Sequence, residues 1–486
     1  MKRTVAFLLI ALMVGSLFGC AKTAPSNELW IVTEVTTWDR MNGQIAAVAE
    51  QFEKDHEGIT VRIDILPTDE QERSVYLQSL RTQILRGKGP DAYLLPTSTQ
   101  LMVDAPRGYT AITVEPLFSD VVQAMDNGMF RDISSLYDQD EALGKEALKT
   151  TVMDAGVVDG KRYVLPLRYD IPVIYADMDY LVDYTEEDFT QQIDAILKML
   201  QEEKDFLAAC GFSHLSAEMF TQWLDYDHQK VALDADTIAG VMECFRDNLA
   251  LAGEELFYYT KLNVRSYCVA PTQTYCRLYA GSLADLVEYA PVYQHNERQL
   301  AILPLRSVGG DVVAEVTYYG AVGSGCENPE LAYAFVRSFL LEDSQWEENR
   351  PQSLNAVGEK GRKVSTANAT QVPGLIEDGW PVRVKGSLAP LWIVRKRQFF
   401  NPKMSYSDKE IEKRLRKVVL APLDDGWEQI LEAEPDQVRF GGSMNDSFRN
   451  LLQSLNDPYD YAPLDVDIQA LAEDFWWQLR WHVAEG

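Results

Sequence analysis

The sequence contains few of the residues that metal and redox sites require. It has five histidines and six cysteines in 486 residues, and no CxxC or HExxH spacing occurs. Such spacings are typical of zinc and thiol–disulfide sites. A GxSxG motif and a glycine-rich phosphate-binding loop are also missing from the sequence. We therefore predict no metal, no cofactor and no enzymatic activity.

Basic residues are scarce as well. The chain has 45 Lys and Arg against 74 Asp and Glu, which gives a net charge of −29. Such a chain repels nucleic-acid phosphates, so we exclude nucleic acid as a partner. It also repels anionic lipid head groups, so contact with a membrane would need a separate anchor.

Long apolar runs are absent apart from the amino terminus. Lys2 and Arg3 precede the uncharged segment 5–18, which is too short to span about 30 Å of hydrocarbon and is typical of a signal peptide. The segment ends in Leu-Phe-Gly-Cys20, which resembles the lipobox of bacterial lipoproteins. The resemblance implies a signal peptide over 1–19, a lipidated (palmitoylated) Cys20 and a tether over 20–27. An ordinary secretory signal cut nearby is the alternative.

Beyond the tether, strands and helices alternate in the pattern. Short apolar runs at 29–33, 61–65 and 92–95 predict strands, and apolar residues at helical spacing over 45–52 and 76–84 predict helices between them. Thr68 and Gln71 fit a capping box. Further strands are predicted at 163–167, 173–175, 301–305 and 312–317, and a helix after Asn328. Such alternation predicts an α/β fold with parallel sheets.

Four segments in this order resemble the family 1 extracellular solute-binding proteins. They are WIVTEVTTWDRMNGQIAAVAEQFEKDHEGITVRIDI, ILRGKGPDAYLLP, VLPLRYDIPVIYAD and ELAYAFVRSFLLEDSQ. The resemblance implies a two-lobed periplasmic-binding-protein-like fold, each lobe a mainly parallel sheet flanked by helices, with the ligand cleft at the hinge. The implied lobes are 28–168 with 306–345, and 169–305 with 346–486. The implied partners are a small solute and the permease subunits of an ABC importer, which the chain would serve as a monomer on the outer side of the cell membrane or in the periplasm.

Polar residues follow two strands of the predicted first lobe. Thr37, Trp38 and Asp39 come after the first strand, and Thr97 and Ser98 after the third. Ligands of open α/β sheets bind at the carboxyl ends of the strands. Hydroxyls, a carboxylate and an indole suit a sugar, so these residues are candidate ligands. The alternative roles are that Trp38 covers the sheet end and that Asp39 caps the following helix.

Further candidates lie in the segment VLPLRYDIPVIYAD, which would cross from the first lobe to the second, and in the second half of the chain. Tyr169 and Asp170 fall near the expected hinge, where Asp170 would accept from a solute hydroxyl or close a turn. The resemblance adds Glu288 with Tyr289, and Tyr318 with Tyr319. Because strand side chains alternate, one of the last two tyrosines should face the cleft and the other away. Asp91 in Gly-Pro-Asp is expected to fix its turn by accepting from backbone N–H groups.

The remaining cysteines and tryptophans are assigned to packing. Five cysteines are left after Cys20, an odd number with no framework spacing, so buried free thiols are expected. A pair between Cys268 and Cys276 stays open. Trp477 and Trp481 share a helical face and are expected, with Trp476, in the core or between lobes.

The sequence thus predicts a lipid-anchored binding protein for a sugar or oligosaccharide. Two alternatives stay open. A secreted lipoprotein glycoside hydrolase would use paired carboxylates. A sensor subunit would present its ligand to a membrane kinase and would share the same cleft.

Overall fold

The structure is a computed structural model. It describes residues 27–34, 40–105, 108–179, 222–225, 228–243, 245–247, 278–283, 293, 297–341, 356–358, 362–364, 380–381, 434–440, 447–448, 450–452, 454–457 and 462–485. Within these residues no helix is long and apolar enough to cross a membrane.

The strands and helices of the described residues are numbered separately in chain order. The strands are β1 (Glu28–Thr33), β2 (Thr60–Ile65), β3 (Ala92–Pro96), β4 (Gln100–Ala105), β5 (Gly108–Thr113), β6 (Val157–Val158), β7 (Lys161–Arg162), β8 (Val164–Asp170), β9 (Pro172–Asp177), β10 (Leu224–Asp225), β11 (Lys230–Val231), β12 (Leu278–Ser282), β13 (Leu300–Pro304), β14 (Val313–Val322), β15 (Ala356–Gly358), β16 (Arg362–Val364), β17 (Trp380–Pro381) and β18 (Gln437–Phe440). The helices are α1 (Arg40–Asp55), α2 (Glu70–Leu85), α3 (Val121–Asp126), α4 (Ser134–Gln139), α5 (Thr150–Asp154), α6 (Pro329–Arg337) and α7 (Ile468–Glu485).

The larger sheet, called the first sheet below, has the order β17-β8-β14-β3-β1-β2, with β18 beside β14. Strand β1 pairs in parallel with β2 and β3, as the alternating pattern predicts. Strand β14 returns from a later part of the chain and pairs antiparallel with both β3 and β8. Apolar residues of α1, α2 and α6 join the sheet in one core. The predicted α/β class is confirmed.

The second sheet has the order β12-β9-β13, and both of its pairs are antiparallel. The predicted mainly parallel pairing is therefore not what the described strands of this sheet show. The reason lies in the chain path: β9 carries the chain away from the first sheet and β13 carries it back alongside. Neighbouring strands that leave and return must run in opposite directions.

Within the described residues, two short segments connect the two sheets. Ile171 alone separates β8 from β9, and residues 305–312 separate β13 from β14. The predicted break between strands at 168–172 is too wide, because Arg168 to Asp170 continue β8 in pairing with β14. The amide of Leu305 donates to the Pro172 carbonyl (2.9 Å), so the two connections lie side by side.

The helix faces follow the predicted apolar positions. Ile45, Val48, Ala49 and Phe52 of α1 are all buried. Helix α2 is capped by Asp69, which accepts from the amides of Gln71 and Glu72, and not by the predicted Thr68. Asp69 directly precedes the helix, and its Oδ1 accepts from both amides (3.0 Å each). Asn328 caps α6 as predicted.

Two short strands of the tail belong to the first sheet, although the predicted division places the tail in the second lobe. Strand β17 pairs with the outer edge of β8, and β18 pairs with the part of β14 that extends beyond β3. Both supply hydrogen-bond partners to backbone that would otherwise be an open strand edge. Helix α7, in contrast, packs beside β10 and β11, and the Trp476 indole donates to the Leu233 carbonyl (2.9 Å). The other assignments to lobes stay predictions.

The packing predicted for the tail tryptophans is wrong for two of them. Trp477 and Trp481 are 50% and 65% exposed. Helix α7 buries the face of Ile468, Ala472, Phe475 and Leu479, which leaves these two indoles on the opposite face. The other four cysteines, Cys210, Cys244, Cys268 and Cys276, lie outside the described residues.

Cys326 is a buried free thiol, as predicted. Burial, and then the nearby Asp91 carboxylate, raise the pKa of this thiol to about 12. Asp91 itself accepts from the Trp30 amide (2.8 Å), which confirms that its carboxylate binds backbone N–H. The bond joins β1 to the start of β3 instead of staying within the turn.

We expect Asp91→Ala to lower the free energy of unfolding by about 1–3 kcal/mol, because the Trp30 amide loses its acceptor. Asp91→Asn keeps an acceptor oxygen and is the matched control, with a smaller loss. Urea denaturation followed by circular dichroism measures both. Equal losses in the two variants would contradict this role for the carboxylate.

Candidate functional site

Polar residues of four strands meet at one edge of the first sheet. The carboxyl ends of β1 and β3 lie there, followed by Glu34 and Thr97. Because β14 runs antiparallel to β3, its first half lies at the same edge and brings Glu315. The last residues of β8 bring Arg168 and Asp170. This set is called the polar edge below, and both connections to the second sheet leave from it.

Thr97 is held at this edge by β14. Its amide donates to the Thr317 carbonyl (3.0 Å), and its hydroxyl donates to the Val316 carbonyl (3.0 Å). The hydroxyl proton is therefore engaged, and the oxygen retains acceptor capacity. Ser98 follows half-buried. A role for both in solute binding stays a prediction.

Asp170 and Glu315 are two buried carboxylates directly opposite each other on β8 and β14. Opposite residues of an antiparallel pair place their side chains on the same face. One Asp170 oxygen accepts from the Ile171 amide (2.8 Å) at the connection to the second sheet. Arg439 of β18 lies opposite Glu315 on its other side. The sequence analysis selected Asp170 and missed Glu315, whose partner lies 145 positions away in a register that only the sheet shows.

Tyr169 lies on the other face of β8 from Asp170 and is buried. Burial, and then Asp170, raise the pKa of its phenol well above the ordinary value. Trp380 of β17 lies opposite Tyr169 in the pairing. A contact of Tyr169 with a solute stays a prediction.

Tyr318 and Tyr319 are both buried, and a contact of either one with a solute stays a prediction. The Tyr318 hydroxyl donates to the Leu94 carbonyl (3.1 Å) and lies 3.3 Å from the Thr33 hydroxyl. The Tyr319 ring packs against Phe130 and Phe440, and burial raises the pKa of its phenol. The predicted alternation holds, but β14 is an interior strand covered on both faces.

Glu34 and Arg73 form a buried ion pair directly after β1. The guanidinium donates to both carboxylate oxygens (3.0 and 2.6 Å). It also donates to the Pro67 carbonyl (3.0 Å) and the Glu115 carbonyl (2.8 Å). Arg73 thus fixes the chain where the predicted solute loop 35–39 begins. The sequence analysis missed the pair, because Arg73 falls on the helix stripe among apolar residues.

Several predicted residues lie outside the described part of the chain. They are Cys20, Thr37, Trp38, Asp39, Glu288 and Tyr289. Their roles stay predictions. Among the described residues no group of three or more His, Cys, Asp or Glu could hold a metal ion.

No protein-family model and no curated protein sequence matches this chain. Many solved structures match over most of its length, and many of them are extracellular solute-binding proteins. A family 1 extracellular solute-binding protein from Alicyclobacillus acidocaldarius is 13% identical, with 95% of this chain and 100% of the other covered and a TM-score of 0.43. An ABC substrate-binding protein from Listeria monocytogenes, in complex with cycloalternan, is 12% identical, with coverages of 94% and 99% and a TM-score of 0.43. A chain from work on a de novo designed esterase is 13% identical, with coverages of 94% and 99% and a TM-score of 0.43.

We expect Arg73→Met to lower the free energy of unfolding by about 3–5 kcal/mol, because it leaves the Glu34 carboxylate buried without a counter-charge. Adding Glu34→Gln to this variant should restore part of the loss. The exposed pair of Arg62 with Glu28 (3.7 Å) provides a control, since Glu28→Gln should change stability by less than about 1 kcal/mol. Chemical denaturation of the wild type, the two single variants and the double variant measures these changes in stability. A double variant that is less stable than Arg73→Met would refute the pairing.

Proposed function

We propose that this chain is a lipid-anchored extracellular binding protein of an ABC importer. It captures a neutral sugar or oligosaccharide between its two sheets and delivers the solute to membrane permease subunits. One observation carries the proposal: the polar edge of the first sheet lies where both connections to the second sheet leave.

The geometry supports reversible capture. Two short connections that lie side by side allow two bodies to move relative to each other about one axis, as in hinge closure. The Leu305 amide of one connection donates to the carbonyl of Pro172, which directly follows the other connection (2.9 Å). The Ile171 carbonyl accepts from the amide of Leu283, which directly follows β12 of the second sheet (2.9 Å). A solute that contacts both sides would favour the closed arrangement by its additional contacts there.

The residue types favour a hydroxylated and uncharged solute. Carboxylates such as Asp170 accept hydrogen bonds from hydroxyl groups, and Trp38 offers an apolar face for a sugar ring. The net charge of −29 disfavours anions. The Cys20 lipobox would hold the chain at the membrane where permease subunits lie, with no need for attraction between the acidic surface and lipid.

A thermal-shift screen of the mature protein tests the proposal directly. Sugars such as raffinose, maltotriose and xylotriose are compared with amines and short peptides. At 100 times the dissociation constant, a ligand adds about 2.7 kcal/mol of stability. We expect a neutral oligosaccharide to raise the melting temperature; a shift only with amines or peptides, or with nothing, would refute the assignment.

Trp38→Ala should abolish that shift and leave the melting temperature without ligand nearly unchanged, because the indole would stack on the solute. Trp481→Ala is the matched control, since this indole is exposed on α7. It should keep the full shift. A large loss of stability in Trp38→Ala without ligand would show that the indole covers the sheet end instead.

The opposed carboxylates favour a glycoside hydrolase as a second candidate. Paired carboxyl groups on one face are what such enzymes need, and Asp170 and Glu315 form such a pair. A hydrolase would release reducing ends from an oligosaccharide over time, whereas a binding protein returns it unchanged. Chromatography of the incubated sugar separates the two functions.

A further inference from the structure

We infer that the side chain of Gln222 is a hydrogen-bonding contact for the neutral hydroxylated solute, on the second-sheet side of the cleft. The inference rests on the proposed function and adds a residue that no sequence pattern indicates.

The amide group of Gln222 is buried and unpaired. The residue is 0% exposed, and neither its side-chain nitrogen nor its side-chain oxygen has a hydrogen-bond partner within the described residues. An amide that loses water without gaining partners destabilises the fold, so such groups are rare in native proteins. A buried polar group of this kind is expected where a ligand supplies the missing bonds.

The position of Gln222 places it beside the hinge. Its backbone carbonyl accepts from the Val308 amide (3.2 Å), and Val308 belongs to the connection 305–312. The same connection begins at Leu305, whose amide donates to the carbonyl of Pro172, the residue that directly follows the other connection. Gln222 is thus fixed by its backbone to a segment that joins the two sheets.

The chemistry of a carboxamide defines the partner. The group offers an acceptor oxygen and two donor hydrogens side by side, and a hydroxyl group both donates and accepts. A single neutral amide does not compensate for burying a charged ligand group. A sugar hydroxyl therefore fits Gln222, and a carboxylate or an ammonium group does not.

The substitution Gln222→Leu separates binding from folding. It removes both unpaired atoms and keeps a similar volume, so the melting temperature without ligand should stay equal or rise. The dissociation constant should increase by about 10- to 100-fold for whichever of raffinose, maltotriose or xylotriose the wild type binds most tightly. Isothermal titration calorimetry and thermal denaturation measure the two quantities.

Asn456→Leu is the matched control for removing a buried amide. Asn456 is 2% exposed, and its side-chain nitrogen donates to the Arg246 carbonyl (3.2 Å). Its replacement should lower the melting temperature without ligand and leave the dissociation constant unchanged. Gln222→Leu should thus weaken binding without loss of stability, and Asn456→Leu should lose stability without weaker binding. That contrast would show that the effect on binding comes from the Gln222 position and not from the loss of a buried amide in general.

The outcomes are distinct. An unchanged dissociation constant in Gln222→Leu, with a wild type that binds, overturns the role of Gln222 and leaves the proposed function intact; a buried water would then satisfy the amide. A clear fall in the melting temperature without ligand shows a structural partner and also overturns it. A wild type that binds none of the sugars refutes the proposed function and this inference together.

Discussion

The structure depends on the pairing of strands that leave and re-enter the first sheet. Strand β8 ends at Asp170, and β14 begins beside it, so the chain departs and returns at neighbouring places. The same pairing continues beyond the connections, where β9 and β13 are also neighbours. This arrangement places both connections at one edge, and the polar ends of β1 and β3 lie at that edge as well.

A buried charge at the polar edge destabilises the fold unless it has hydrogen-bond partners. The structure supplies such partners to Glu34 and Asp170. Arg73 directs its donors to Glu34 and to two backbone carbonyls, so the ion pair also joins α2 and its neighbours to the end of β1. Asp170 is engaged by the amide of the residue that follows it. If the proposed function holds, groups held in this way need little reorganisation when a solute arrives, which would favour binding.

The sequence predicted those features that depend on neighbouring residues. Apolar spacing located α1 and the first three strands, Asn328 marked the start of α6, and the ends of the strands indicated the polar edge. Features that depend on distant partners were missed or wrong. The covering of both faces of β14 buries Tyr318 and Tyr319, and the exposed face of α7 carries Trp477 and Trp481. The spacing of residues along the chain predicts neither the ion pair of Glu34 with Arg73 nor the lack of hydrogen-bond partners at the Gln222 amide within the described residues.

Hydrogen–deuterium exchange of the mature protein with and without a bound oligosaccharide tests the central claim most directly. If the solute lies between the sheets beside both connections, its binding should slow exchange in 96–99, 168–172 and 305–316 and leave α7 unchanged. Slower exchange confined to α7 or to the outer strand β2, with these three segments unaffected, would contradict the account.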